Sequence, residues 1–251
     1  MPGEVPRLRD EMLMKLRIKF SKHGAMKFIG HLDLMRFFQK AIRRAGIDIA
    51  YSGGFSPHQI MSFASPLGVG LTSNGEYLDI VLNTEKNQPE IHAIQSKLSE
   101  QMVDGIEILA ISQLSETVAN AMASVAAAGY TVVFNEKLDD LSASIDLVGQ
   151  FDAFLRQKSI LYTKRTKKVI REIDLRPLIY EAAINADMKG IYLLVNASSA
   201  DSIKPQFVIE AFFDYISQQL STFSFTICRE ETYANAGTTE KPEFVPLIRI
   251  T

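Results

Sequence analysis

The chain has 251 residues, with 27 Lys and Arg against 29 Asp and Glu, and 47% of its residues are hydrophobic. That balance excludes a disordered or low-complexity chain and suits one large domain or two ordinary ones with a sizeable core. No apolar run approaches the roughly 18 residues of a membrane span. A single cysteine, Cys228, excludes an internal disulfide and an iron–sulfur cluster held by this chain's own thiolates.

The start, Met1-Pro2-Gly3-Glu4-Val5-Pro6, has no basic region leading into an apolar stretch, so no secretory signal is expected and a cytoplasmic location is. Residues 1–13 read as a tail, with Met12 and Met14 as alternative starts to Met1. Leu16-Arg17-Ile18-Lys19-Phe20 alternates as a strand does. A helix over residues 31–45 follows, its apolar face formed by Leu34, Met35, Phe38, Ala41, Ile42 and Ala45. Gly30 serves as its N-cap and Gly46 ends it. Arg36, Lys40, Arg43 and Arg44 fall on the opposite side. The turn 51–58 leads to strands at 59–64 and 75–82, a helix through Ile91, Ile94 and Leu98 with Pro89 near its start, and a strand at 106–111. The second half gives a strand at 130–134 and a helix over 141–156 packing through Ile145, Val148, Phe151 and Leu155. Strands at 159–162 and 169–173 flank a basic turn; a strand at 191–195, a helix over 204–220 starting at Pro205, and a strand at 223–228 complete the set.

This order predicts an α+β protein of two tandem ferredoxin-like (β-α-β-β-α-β) domains, residues 14–115 and 125–233, with tails at 1–13 and 234–251. In each half the segment after the first helix is the unusual one, and a pseudo-twofold would bring both to one cleft.

Charge is unevenly spread. Residues 1–60 hold eleven basic side chains against five acidic ones, and residues 156–176 hold eight against two. Two basic islands in an acidic body create local positive fields suited to a polyanion, whereas an ordinary solvated face is the plainer reading of either island alone.

His31 at a helix start admits two readings: a histidine at the edge of the core, or an imidazole beside N–H groups that attract phosphate, with Asp33 orienting it. Ser52-Gly53-Gly54-Phe55-Ser56-Pro57-His58 lacks the P-loop pattern, and Leu67-Gly68-Val69-Gly70 lacks the dinucleotide fingerprint. Tyr51 and Phe55 suit stacking on unpaired bases, or Phe55 plugs the core. His23, His31, His58 and His92 show no metal-ligand spacing, and no nucleophile elbow is present. Cys228, in an apolar strand pattern, reads as a buried spectator thiol.

The run Phe28-Ile29-Gly30-His31-Leu32-Asp33-Leu34-Met35-Arg36, then Ala41-Ile42-Arg43-Arg44-Ala45-Gly46, Tyr51-Ser52, Gly54-Phe55-Ser56-Pro57-His58 and Gly75-Glu76-Tyr77-Leu78-Asp79, closely resembles the radical-SAM-linked protein family of unknown function. Gly30, Ser56 and Gln59 stand where that family usually has serine, asparagine and proline. The resemblance implies an accessory module, fused to or encoded beside a cobalamin-binding radical SAM protein, acting in RNA or ribosome modification. SAM, the iron–sulfur cluster and cobalamin would then belong to the partner, and this chain would bind no cofactor itself. The expectation is therefore RNA binding through Arg36, Lys40, Arg43, Arg44, Tyr51, Ser52, Gly54, Phe55, His58, Lys164, Arg165, Lys167, Lys168 and Arg171, without a metal or membrane contact. Two alternatives remain: a metal-independent endonuclease resembling CRISPR-repeat-processing nucleases, with His31 as general base, and a protein–protein adaptor docking through Phe244-Val245-Pro246-Leu247-Ile248.

Overall fold

The computed structural model describes residues 13–84, 90–134, 145–165, 170–185, 190–219 and 225–251. The first strand, β1 (Leu13–Lys22), buries Leu16, Ile18 and Phe20 on one face. Helix α1 (His31–Arg44) covers them with Leu34, Phe38, Ala41 and Ile42, as its apolar spacing dictates. β2 (Met61–Phe63), β3 (Thr72–Asn83), α2 (Ile91–Ser99) and β4 (Ile106–Leu114) complete the first half. Its strands lie in the order β4-β1-β3-β2, each pair antiparallel.

A helical turn, α3 (Ala121–Ser124), opens the second half. There follow β5 (Ala127–Phe134), α4 (Leu147–Leu155), β6 (Leu161–Arg165), β7 (Ile170–Asp174), β8 (Ile179–Ile184), β9 (Gly190–Asn196), α5 (Pro205–Tyr215) and β10 (Phe225–Asn235). The order here is β10-β5-β9-β8, again antiparallel throughout. β6 and β7 pair only with each other, as a separate hairpin. The strands expected at 159–162 and 169–173 therefore stay out of the main sheet, and β8, which periodicity did not reveal, lies beside β9.

Among the described residues the halves merge into one nine-stranded mixed sheet through a parallel seam between β3 and β10. Only Thr72 with Cys228 and Ser73 with Arg229 are in register there. The seam continues as a close backbone approach: a Cβ at Gly75 would stand 2.5 Å from Glu231 Cα. Both helix layers lie on the same side of this sheet. Glu76 is opposite Phe20 on the α1 face, Tyr130 is opposite Arg229 on the α4–α5 face, and Arg229 binds Glu76 directly.

Several boundaries shift. In α4 the buried residues are Leu147, Phe151 and Phe154, while Val148, expected inside, is exposed; residues 141–144 of the expected helix lie outside the described residues. α5 ends at Tyr215, and Ser217 adopts the left-handed region (φ 56°). Residues 234–251, expected as a tail, fold back: β11 (Phe244–Pro246) pairs with β10, and Leu247 is fully buried on the far side of the sheet from the helices, against Tyr77 and Ala121. No described helix is long and apolar enough to cross a membrane.

Candidate functional site

The exposed side of α1 carries Arg36, Lys40, Arg43 and Arg44. Arg36 reaches Asp33 at 3.3 Å in an open ion pair that water screens. Arg44 donates to the Gln101 side chain and carbonyl. The loop 51–59 lies alongside this helix, because the Gln59 side chain donates to the Gln39 carbonyl. Arg36 and Arg43 are three and four residues from Gln39, within one turn of that contact.

The loop is closed by its own ends. Ser52 N–H donates to the His58 carbonyl (2.9 Å), and His58 N–H donates to Ser52 Oγ (3.1 Å). Ser52 Oγ also stands 2.8 Å from His58 Nδ1, a hydrogen bond whose donor is set by the tautomer of the ring. Gly54 sits at φ 100°, a conformation that side chains resist. The result lifts Phe55 entirely into water and leaves Tyr51 half exposed. Phe55 does not plug the core. An isolated aromatic held fully in solvent leaves both ring faces free.

His31 is partly buried, its ring edge-on to Phe63 at 5.1 Å, which is the core-edge arrangement. Lys164 and Arg171 face each other across the β6–β7 hairpin, two like charges at one register position. Lys164 also lies over the Phe207 ring of α5, and Tyr162 stacks on the same ring while donating to Glu210. Burial, then the bond and charge of Glu210, push the Tyr162 phenol well above its ordinary range. The hairpin thus sits over α5, on the same side of the sheet as α1. Lys167 and Lys168 lie outside the described residues; Arg165 closes the hairpin opposite Ile170. The loop that carries Tyr51, Ser52, Gly54, Phe55 and His58 meets α1 where Gln59 reaches Gln39, between Arg36 and Arg43 and next to Lys40, while Lys164 and Arg171 belong to a second patch in the other half.

The first basic island is smaller than its composition suggests. Arg17 is fully buried on Asp79, Lys19 pairs with Glu231 at 2.6 Å, and Lys22 is buried with its ammonium on the Ile29 carbonyl. Lys22, Glu76 and Arg229 form a charged group at the junction of the halves that the motifs did not single out. Each extends an apolar row: Lys22 after Leu16, Ile18 and Phe20; Glu76 before Leu78, Ile80 and Leu82; Arg229 after Phe225 and Ile227. A charge at the end of such a row is the signal that was there to be read. Burial lowers the Lys22 pKa; Glu76 opposes this and the Arg229 charge adds to it. Cys228, expected to be buried, is part-buried, and that burial pushes its thiol up, away from thiolate chemistry.

Residues 15–205 match the family described as "Uncharacterized protein conserved in bacteria (DUF2344)", and the chain belongs to that family. No curated protein matches it. Among solved structures, the crystal structure of an unknown protein from Galdieria sulphuraria aligns over 93% of this chain and 99% of that one, at 10% identity and a TM-score of 0.28.

Proposed function

We propose that this chain is an RNA-binding, substrate-presenting module built from two tandem ferredoxin-like units, serving a radical SAM enzyme in RNA or ribosome modification. The observation that carries it is Phe55, wholly exposed on a closed loop beside the open cationic face of α1. The strand orders β4-β1-β3-β2 and β10-β5-β9-β8 support the ferredoxin-like reading of each half. The resemblance of residues 15–83 supports the radical SAM partner, which would supply the SAM, iron–sulfur and cobalamin chemistry. This chain's part is to neutralise phosphates with Arg36, Lys40 and Arg43 and to hold unpaired bases on Phe55 and Tyr51. Lys164 and Arg171 extend the positive surface on the same side of the sheet.

Binding of single-stranded RNA, titrated against salt, tests this. Three phosphate contacts give a log–log slope of about −2. Lys40→Glu with Arg43→Glu flattens the slope and weakens binding; Phe55→Ala lowers affinity by about 1–3 kcal/mol and leaves the slope unchanged. Salt-indifferent binding, or binding untouched by these changes, refutes the reading.

A further inference from the structure

We propose that the cleft between the two halves binds an organic phosphate the size of a nucleoside monophosphate, its phosphate held between Arg229 and the first turn of α5. The cleft encloses about 520 Å³, within the range of small-ligand sites. One wall is the loop from Ser65 to Val69, the other runs from Ser198 to Gln206, and Tyr130, Ile227 and Arg229 form the floor.

Arg229 supplies the first argument. It is 4% exposed, yet it lines the cleft. Its Nε donates to the Tyr130 hydroxyl, and Nη1 donates to the Ser65 carbonyl and to Glu76. Nη2, with two N–H groups, has no hydrogen-bond partner among the described residues. A guanidinium is a planar fork of five donors, and a buried one with its outer edge unused is built to receive an oxyanion.

The charge count supplies the second. Lys22 and Arg229 carry two positive charges at this junction against the single negative charge of Glu76, and all three residues are buried. Lys22, held on the Ile29 carbonyl, lies outside the cleft lining, and an anion entering beside Arg229 would meet a net positive charge. The opposite wall is prepared for the same group. No side chain caps α5; Pro205 carries no N–H and Phe207 N–H donates to the Lys204 carbonyl, which leaves Gln206 N–H open, and Ser202 and Lys204 stand at that helix start along the cleft. Donors on the floor and on one wall of the same cleft suit a group with several oxygens, and Pro66, Leu71, Ile203 and Ile227 offer apolar surface for the flat body attached to it. Free nucleotide and the phosphorylated end of a nucleic acid share this chemistry.

None of these residues belongs to the α1 and Phe55 surface, so the site stands or falls separately from RNA binding there. The test is calorimetric titration of the full chain with adenosine 5′-monophosphate, adenosine and inorganic phosphate. The monophosphate is expected to bind at least about tenfold more tightly than adenosine, and Ser202→Trp and Lys204→Glu each to weaken it about tenfold or more. Both positions are exposed, so these variants fold where Arg229→Gln need not. Lys40→Glu with Arg43→Glu leaves this affinity unchanged. A trinucleotide preferred with a 5′-phosphate over its 5′-hydroxyl form marks a nucleic-acid end as the occupant; monophosphate binding without trinucleotide binding marks a free nucleotide. The proposal is overturned if the monophosphate binds no better than adenosine, or if neither variant weakens it.

Discussion

Arg17 has no exposed surface and uses its whole guanidinium. Nε and Nη2 grip Asp79 at 2.8 and 2.9 Å, Nη1 donates to the carbonyls of Leu247 and Ile250, and Nη2 also reaches Ala119. Asp79 in turn accepts from Ala121 N–H. A buried pair is favourable only when so completely satisfied, and removing one partner strands the other charge. Asp79→Ala is therefore expected to destabilise the fold by about 3–5 kcal/mol in urea unfolding, with part of this recovered when Arg17→Met is added. Nothing in Leu16-Arg17-Ile18-Lys19-Phe20 discloses this role. Alternation tells which residues share a face; it does not tell whether that face meets water. Arg17 and Asp79 look solvated because what covers them comes from residues 119–121 and 247–250, far away in the chain.

At the scale of elements, helices and strands with strong periodicity were legible. α1 runs from His31 to Arg44 because Gly30, the apolar spacing and Gly46 are all local signals. Partners were less legible. The β6–β7 segment alternates like a sheet strand, yet Leu161 and Ile170 are exposed and the hairpin stands apart. Its base is fixed by Asp174, whose Oδ1 accepts the N–H groups of Ile160 (2.8 Å) and Arg176 (3.0 Å). Burial alone would raise the Asp174 carboxyl, but these bonds, the Ser159 hydroxyl and the Arg176 charge outweigh it and hold the carboxyl below its ordinary value. A carboxylate with a depressed folded pKa stabilises above its unfolded value and loses that contribution as pH falls through the folded one. Thermal unfolding between about pH 2 and 5 should then show a shallower acid decline for Asp174→Asn than for the native chain. Of the candidate surface, the loop that raises Phe55 was visible as a motif, but its exposure depended on Gly54 and the Ser52–His58 closure, which only the fold reveals.

Across the whole molecule, the halves are joined by a seam of two register pairs and the Gly75 approach. A larger residue there must push the β3 backbone away from Glu231. Gly75→Val is expected to destabilise the protein by about 1–3 kcal/mol, and differential scanning calorimetry should resolve two transitions where the native chain gives one. The buried arginine of β1 also reaches a turn more than two hundred residues further along the chain, through the Leu247 and Ile250 carbonyls. During translation, the amino-terminal layer leaves the exit tunnel long before those acceptors exist. A nascent chain halted before residue 247 holds an arginine with two of its acceptors still unmade, so this layer reaches its final stability only once residue 250 has emerged.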